Sequence, residues 1–398
     1  MLKNYNGRII FHIDMNAYFC SVHCKLNPTL RGKAFAVGRE GTYKGVLSTA
    51  SYEARKYGIH SAMPIIEAYK ILPTLLVVNH NFSEYKKNHY LFIDIIKQYT
   101  NLIEVASIDE VYADMTDACK NMHPLVLAKE IQLRILRELD LPCSIGIAAT
   151  LFLAKMASDI KKPLGVTMIR RGELDKILYP LSVKDIFGIG KKTYPRLIEN
   201  GIETIGDFMN PENEDLIISL IGINSYSYAK ECILGRSSDK VIPDRHATSK
   251  SISTETTFDV HLGSVVEILA VLRGLLRDIT KRLTDGDYVT KTVVLTMRDS
   301  DFHTISKRTS LDEYTDDIYV FNNVIEDLLT ELIEEDKTYR LVGVGFAGII
   351  KRSELKEEYN LFTINDKVIK ENNIKKLMKD INDKFGEDII YFNKDKKK

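Results

Sequence analysis

The sequence predicts an α+β protein of several domains, and three observations carry that reading. Strand-like apolar runs and amphipathic helical stretches follow one another without the strict strand–helix repeat of a parallel α/β sheet. A chain of 398 residues exceeds what one hydrophobic core serves at roughly 150 residues per domain. The texture also changes twice, to short helices beyond residue 170 and to a second mixed unit beyond a stretch at 237–245 that carries Ser, Asp and Pro.

Ile9-Ile10-Phe11-His12-Ile13 is a nearly continuous apolar run ending at Asp14, the mark of a buried strand that delivers a carboxylate at its C-terminal end. Residues 34–38 and 46–49 read as a hairpin around the turn 39–45, with a helix starting near Ser51. Apolar residues recur at helical spacing over 82–99, and 102–115 alternates as a strand hairpin around Ser107-Ile108-Asp109-Glu110. A helix over 125–139, a strand over 143–148 and a helix over 151–160 complete an α+β domain interrupted by an insertion near 27–80. Beyond 170, Phe187-Gly188-Ile189-Gly190 falls between two short helices of a small helical domain ending near Gly235, and 237–245 reads as a linker. The second α+β unit, 246–350, shows strands near 250–258, 289–298, 302–309 and 340–348 and helices near 262–284 and 318–335. Residues 351–398 are charged and end in Lys394-Asp395-Lys396-Lys397-Lys398, as a tail that is mobile or folds only on a partner.

Composition excludes several classes. With 44% hydrophobic and 28% charged residues the chain is neither collagen-like nor wholly disordered. Basic and acidic residues both total 55, so net charge carries no nucleic-acid signal. The balance is uneven along the chain, however: residues 1–170 hold 21 basic against 15 acidic side chains, and 246–350 hold 11 against 18. Cys20, Cys24, Cys119, Cys143 and Cys232 form an odd set without a C-x-x-C pair, which excludes a disulfide framework and a zinc knuckle and fits a reducing cytoplasm. The first residues lack the apolar core of a signal peptide, and no run approaches about 18 uncharged apolar residues, so a cytoplasmic protein with no membrane partner is expected.

Asp14, Asp109 and Glu110 stand out because acids beside or within apolar strands cost stability unless they are paired or metal-bound. Two readings stay open from the residues alone. Asp14 can cap a helix beginning near Ala17 and Asp109-Glu110 can be a solvated turn. Alternatively the three converge on two Mg²⁺ ions, which prefer oxygen ligands and share their binding with substrate phosphates. Because strand side chains alternate, Asp109 and Glu110 can face one site only if the strand bends or ends there.

The segments His12-Ile13-Asp14-Met15-Asn16-Ala17-Tyr18-Phe19, Leu26-Asn27-Pro28-Thr29-Leu30-Arg31-Gly32-Lys33, Ser51-Tyr52-Glu53-Ala54-Arg55-Lys56-Tyr57-Gly58, Ser107-Ile108-Asp109-Glu110 and Leu153-Ala154-Lys155-Met156-Ala157-Ser158-Asp159 together resemble a Y-family translesion DNA polymerase in order and spacing over roughly 1–350. The resemblance implies a right-hand polymerase with a ferredoxin-like palm (1–26 and 81–170), inserted fingers (27–80), a helical thumb with a helix-hairpin-helix (171–236), a linker (237–245), an α+β little finger (246–350) and a tail (351–398). Carried over by position, Asp14, Asp109 and Glu110 would be catalytic, binding two Mg²⁺ ions with the Met15 carbonyl. Tyr18, Phe19, Thr49, Tyr52, Arg55 and Lys162 would hold the dNTP, with Phe19 as the steric gate against a 2′-hydroxyl. Tyr52 and Arg55 lie three residues apart near a helix N-terminus, a favourable place for a triphosphate. Val46 and Ser48 would form a small roof over the nascent base pair.

Primer-template DNA would be held at Gly188, Gly190 and Lys191, where glycines let backbone N–H groups approach a phosphate, and at Lys250, Lys291, Arg298, Lys307 and Arg308 on the little finger. The acidic total of 246–350 is reconciled if a basic sheet face opposes an acidic helical face. In the tail, Tyr359, Leu361 and Phe362 resemble a sliding-clamp peptide but follow Glu358 where the family has Gln. The implied protein is a monomeric, error-prone DNA polymerase without a proofreading domain. The competing readings are a nucleotide cyclase or regulator on the same palm-like fold and a catalytically silent DNA-binding scaffold.

Overall fold

The computed structural model describes residues 7–245, 248–334 and 336–355. Tyr359, Leu361 and Phe362 lie outside the described residues. The chain divides into two units, Met1–Thr248 and Ser249–Lys398.

In chain order the first unit contains β1 (Ile10–Met15), α1 (Tyr18–Leu26), β2 (Phe35–Val37), β3 (Thr49–Ala50), α2 (Tyr52–Arg55), α3 (Ile65–Ile71), β4 (Leu76–Val78), α4 (Phe82–Lys97), β5 (Ile103–Val105), β6 (Glu110–Asp114), α5 (Pro124–Leu139), β7 (Cys143–Ala148), α6 (Leu151–Ile160), β8 (Val166–Met168) and the short helices α7 (Leu174–Ile177), α8 (Tyr194–Glu199), α9 (Ile205–Met209), α10 (Glu214–Ile221) and α11 (Ile223–Ile233). Its main sheet runs β5-β6-β1-β7-β8, with β1 central and antiparallel to both neighbours. Every residue of β1 is buried because both faces of the sheet are covered. Phe11, Ile13 and Met15 join a core with α4 and α5, and Ile10 joins the opposite core with α6 and the later helices.

That second face depends on a close approach. A Cβ on Gly146 of β7 would lie 2.0 Å from the Ala154 carbonyl oxygen and 2.3 Å from the Ser158 nitrogen, both backbone atoms of α6. Glycine is therefore required there, and it lets α6 lie flat across β1 and β7.

The insertion differs from the expected simple hairpin. Antiparallel β2 and β3 pair Ala36 with Ala50, but β2 also pairs in parallel with β4, which the sequence did not reveal. Residues 46–48 are not strand, because Leu47 exchanges backbone hydrogen bonds with Ala62 and Met63 instead. The expected linker is irregular but anchored. Segment 237–245 is tied to the first unit: Ser238 accepts from the Leu151 N–H, and the buried Glu104 of β5 accepts from the Ile242 N–H at 2.9 Å and pairs with Arg245 at 2.6 Å.

The second unit contains β9 (Ser251–Leu262), α12 (Val265–Asp285), β10 (Tyr288–Asp299), β11 (Thr304–Thr315), α13 (Ile318–Leu332), β12 (Tyr339–Ala347) and β13 (Ile350–Lys351). Its antiparallel sheet runs β11-β10-β12-β9, and β13 pairs with β10. Val293, Leu295 and Met297 of β10 and Val342, Val344 and Phe346 of β12 share a core with Leu272, Leu276 and Ile279 of α12 and Phe321 and Ile325 of α13. The uncovered face is not the basic sheet expected. Arg308 sits opposite Val294 and Arg298 opposite Thr304, on the face away from the helices, whereas Lys307 sits opposite the buried Leu295 and pairs with Glu331 of α13. Ser253, Thr257, Thr292, Thr296, Ser306 and Ser310 share the uncovered face with one acid, Glu255 opposite Gly343, so the face is mainly hydroxyl-bearing, with Gly343 and Gly345 flattening its centre.

Gly146→Ala is expected to lower stability by at least about 2 kcal/mol, since backbone rather than a flexible side chain must yield. Denaturant midpoints of the two proteins check this, and an unchanged midpoint would contradict the packing described.

Candidate active site

The site forms where β1 ends. Asp14 is paired with Glu110 across the β1–β6 ladder, so the two side chains share a face, the one that α6 covers. Glu110 is the first residue of β6, and Asp109 precedes it in a turn where the Asp109 carbonyl accepts from the Met15 N–H at 3.0 Å. The strand therefore ends between the two acids, as their shared orientation demands. Asp14 does not cap α1: Ala17 holds the N-cap position in left-handed backbone with no side-chain cap.

One cleft of about 230 Å³ is lined by Asp14, Met15, Tyr18, Phe19, Ser48, Thr49, Tyr52, Arg55, Asp109, Glu110 and Lys162, and also by Asn16, Ala17 and Ser61. Val46 is not among the lining residues; it bridges to Pro64 and is 53% exposed. Phe19 stacks on Tyr85 at 4.2 Å and meets the edge of Phe82, which braces its ring. Ser48 Oγ bonds His80 Nε2 at 2.6 Å. Arg55 Nε donates to the Ala50 carbonyl at 3.0 Å, and its guanidinium lies over the Tyr52 ring. The Tyr52 hydroxyl is buried and has no hydrogen-bond partner. The helix carrying both is a single turn of four residues, so the cationic character here comes from Arg55 itself and not from a helix dipole.

Charge in the cleft is dense. Lys155 Nζ of α6 reaches Glu110 Oε1 at 2.7 Å and Asp14 Oδ2 at 3.0 Å, while Lys162 Nζ reaches Asp14 Oδ2 at 2.7 Å and Asp159 Oδ1 at 2.6 Å. Single ligand atoms of His12, Asp14 and Glu110 all lie within 4.8 Å of one another, and the His12 Nε2 is buried without a hydrogen-bond partner. A pair of hard carboxylate oxygens crowded by two ammonium groups is a donor set that fits a divalent cation. Asp109 stands outside that group and accepts from Ser107 Oγ at 2.5 Å.

Sequence reasoning missed Lys155, although its spacing to Ser158 and Asp159 on one helical face was a readable signal. It also missed Asn16, which accepts from the Leu164 N–H at 2.8 Å and donates to Ser144 Oγ at 2.9 Å, anchoring the loop that carries Lys162. Gly188, Gly190 and Lys191 lie exposed in a loop between a 3-10 turn (Val183–Asp185) and α8, with Gly188 at φ +99°. The first helix of the expected hairpin is thus only that turn. Among the described residues no helix is long and apolar enough to cross a membrane.

Residues 13–159 match the model of the impB/mucB/samB family and residues 249–359 that of the family's C-terminal domain. DNA polymerase IV of Oceanobacillus iheyensis is 36% identical over 390 residues, 98% of this chain and 92% of the relative. DNA polymerase IV 1 of Bacillus subtilis is 36% identical over 385 residues, 96% of this chain and 92% of the relative. Among solved structures, the Y-family DNA polymerase chimera Dbh-Dpo4(243-245)-Dbh superposes with a TM-score of 0.77 at 28% identity, covering 86% of this chain and 99% of that one. DinB from Sulfolobus solfataricus gives a TM-score of 0.58 at 28% identity with the same coverage.

Burial, reinforced by the hydrogen bond with Glu110, raises the Asp14 carboxyl from 3.8 to about 6. Glu110 is half-buried, which would raise it, but the His12 ring with Nε2 3.6 Å from Oε2, the hydrogen bond with Asp14 and the Lys155 charge outweigh burial and hold it below the usual carboxylate range. Between roughly pH 4 and 6 the native state keeps a proton on Asp14 that the unfolded chain has released, so this group's contribution to stability falls as pH rises through that window. In metal-free buffer, wild type should therefore lose up to ~3 kcal/mol relative to Asp14→Asn between those limits. Denaturant titrations of both proteins across that range check it; a difference that does not change with pH would refute it.

Proposed function

The chain belongs to the impB/mucB/samB family of Y-family translesion DNA polymerases, and on that premise we propose that its catalytic centre is the cleft at the end of β1, with Asp14, Asp109 and Glu110 as metal-binding carboxylates. The protein is a DNA-directed DNA polymerase that acts in translesion synthesis. One observation carries the site assignment: the acids, the Met15 backbone, Tyr52, Arg55 and Lys162 come from separate stretches of the chain and line one cleft. A silent scaffold needs no such combination, and the polymerase relatives matched over nearly the whole chain weigh against a nucleotide cyclase or regulator.

Two Mg²⁺ ions bound by these carboxylates would polarise the primer 3′-hydroxyl and neutralise the departing pyrophosphate. The chain's own groups do the positioning. Arg55, held by the Ala50 carbonyl and the Tyr52 ring, and Lys162 supply cations for the triphosphate, and the unpartnered Tyr52 hydroxyl supplies a donor. Phe19, braced by Tyr85, packs under the deoxyribose and leaves no room for a 2′-hydroxyl. Ser48, a small side chain, borders the space for the nascent base pair and leaves room for damaged bases at the cost of shape discrimination.

The five-stranded sheet is the palm, the β3-β2-β4 sheet with α2 and α3 the fingers, α7 to α11 the thumb and 246–350 the little finger. The Gly188–Lys191 loop and the hydroxyl-bearing face of the little finger, with Arg298 and Arg308, grip DNA phosphates, aided by Lys250 and Lys291. The enzyme works as a cytoplasmic monomer, and Tyr359, Leu361 and Phe362 tether it to the sliding clamp. This last assignment rests on sequence alone.

Asp109→Ala and Glu110→Ala should each abolish primer extension with Mg²⁺, by about 10³-fold or more, while duplex binding changes little. Template-directed extension near the wild-type rate by either variant would sink the assignment. In the little finger, Arg308→Ala should weaken DNA binding and reduce the slope of log affinity against log salt by about 1. Lys307→Ala should leave that slope unchanged, since its ammonium is engaged by Glu331. Equal slopes for the two variants in a fluorescence titration would refute the face assignment.

A further inference from the structure

Lys155 has no part in the reading above and does not line the cleft itself, yet of the two lysines paired with Asp14 it is the more enclosed, with a side chain 12% exposed against 26% for Lys162. Its ammonium bridges one oxygen of Asp14 and one of Glu110, the two carboxylates most crowded together. A third acceptor stands by: Asp159, one turn further along α6 and half exposed, has Oδ2 3.7 Å from the same nitrogen. Lys162 shows a similar choice, divided between Asp14 and Asp159.

Two neighbouring carboxylates buried without a counter-charge would repel each other and turn toward solvent. An ammonium between them lets both stay inward, but it cannot occupy the space of a metal ion that takes the same oxygens. Its charge would also oppose that ion at close range. The neighbouring Asp159 offers the displaced cation a partner without any movement of the helix.

We propose that Lys155 is a positioning residue that serves as the resident cation of the metal-free site: it holds Asp14 and Glu110 in place and transfers to Asp159 when a divalent ion takes their oxygens. The inference deepens the polymerase reading and rests on its assignment of the carboxylates to metal. It makes a directional statement that a merely structural lysine would not. Removing Lys155 must tighten metal binding, because the ion no longer displaces a competitor, whereas loss of a scaffold residue would loosen it.

The test uses the full-length chain without DNA and counts free Mn²⁺ by electron paramagnetic resonance during titration. Lys155→Met, which keeps the stem volume, should bind Mn²⁺ at least about fivefold more tightly than wild type and should unfold at lower temperature when metal-free. Asp159→Asn, at a half-exposed position that tolerates the change, should bind a few-fold more weakly, because the displaced ammonium groups lose their acceptor. Glu110→Gln should weaken binding strongly. Unchanged or weaker Mn²⁺ affinity in folded Lys155→Met overturns the proposal, and if that variant does not fold, unchanged affinity in Asp159→Asn overturns it. Wild-type affinity in Glu110→Gln would instead remove the metal assignment beneath it, so the two failures are distinguishable.

Discussion

The approach of α6 to the central sheet is the constraint on which the cluster of charges at the end of β1 depends. A missing side chain at Gly146 brings the α6 backbone into contact with β7, and the small residues Ala154, Ala157 and Ser158 on that helix face leave nothing to hold it off. Only at that distance can Lys155 reach over β1 to Asp14 and across to Glu110. The same approach buries His12 against Ser158, with His12 Nδ1 2.8 Å from Ser158 Oγ, so the residue two positions before Asp14 is immobilised along with it. One steric condition thus sets the separation of carboxylates and ammonium groups, and their electrostatics follows from that separation.

Electrostatics and packing pull in opposite directions there. Burial alone would protonate both acids, yet one is raised and the other lowered, because Glu110 collects hydrogen bonds and the Lys155 charge while Asp14 donates to it. Lys155 is itself raised, since its anionic neighbours outweigh the desolvation that would lower it. Such an arrangement stores poorly solvated charge at the end of a rigid strand, which suits a site where catalysis is mostly positioning and charge neutralisation. The loop carrying Lys162 is fixed independently, by Asn16 from one side and by Gln132, which donates to the Leu164 carbonyl at 3.0 Å, from the other.

The second unit shows how a face is assigned by register rather than by composition. Lys307 and Arg308 are adjacent in sequence and similar in charge, yet the two-residue period of a strand sends one to Glu331 on the helix side and the other to the uncovered face. Its net negative charge is therefore compatible with contact to DNA, because the surface facing away from the helices is lined mainly with hydroxyl groups and carries Arg298 and Arg308.

The sequence by itself determined the α+β class and most of the long elements, and it singled out Asp14, Asp109 and Glu110, which the structure brings to one cleft. Each of these rests on local chemistry: the nearly continuous apolar run 9–13, too short for a buried helix, reads as a strand covered on both faces, and the helical spacing of 82–99 and 125–139 defines its own buried stripe. Element ends were read less well, since β9 continues to Leu262 and α13 stops at Leu332. What only the tertiary structure decided involves partners far apart in the chain. β4 is invisible as a strand until β2 lies beside it, Val46 leaves the cleft because Pro64 claims it, and the supposed linker is held by Glu104, more than 130 residues away. Lys155 belongs with these: its spacing to Ser158 and Asp159 marks a shared helix face, but its place between Asp14 and Glu110 exists only because a helix 141 residues downstream of Asp14 packs on a glycine. Periodicity records which face a residue takes on its own element, whereas the distance between two elements is set by the side chains that meet at their crossing.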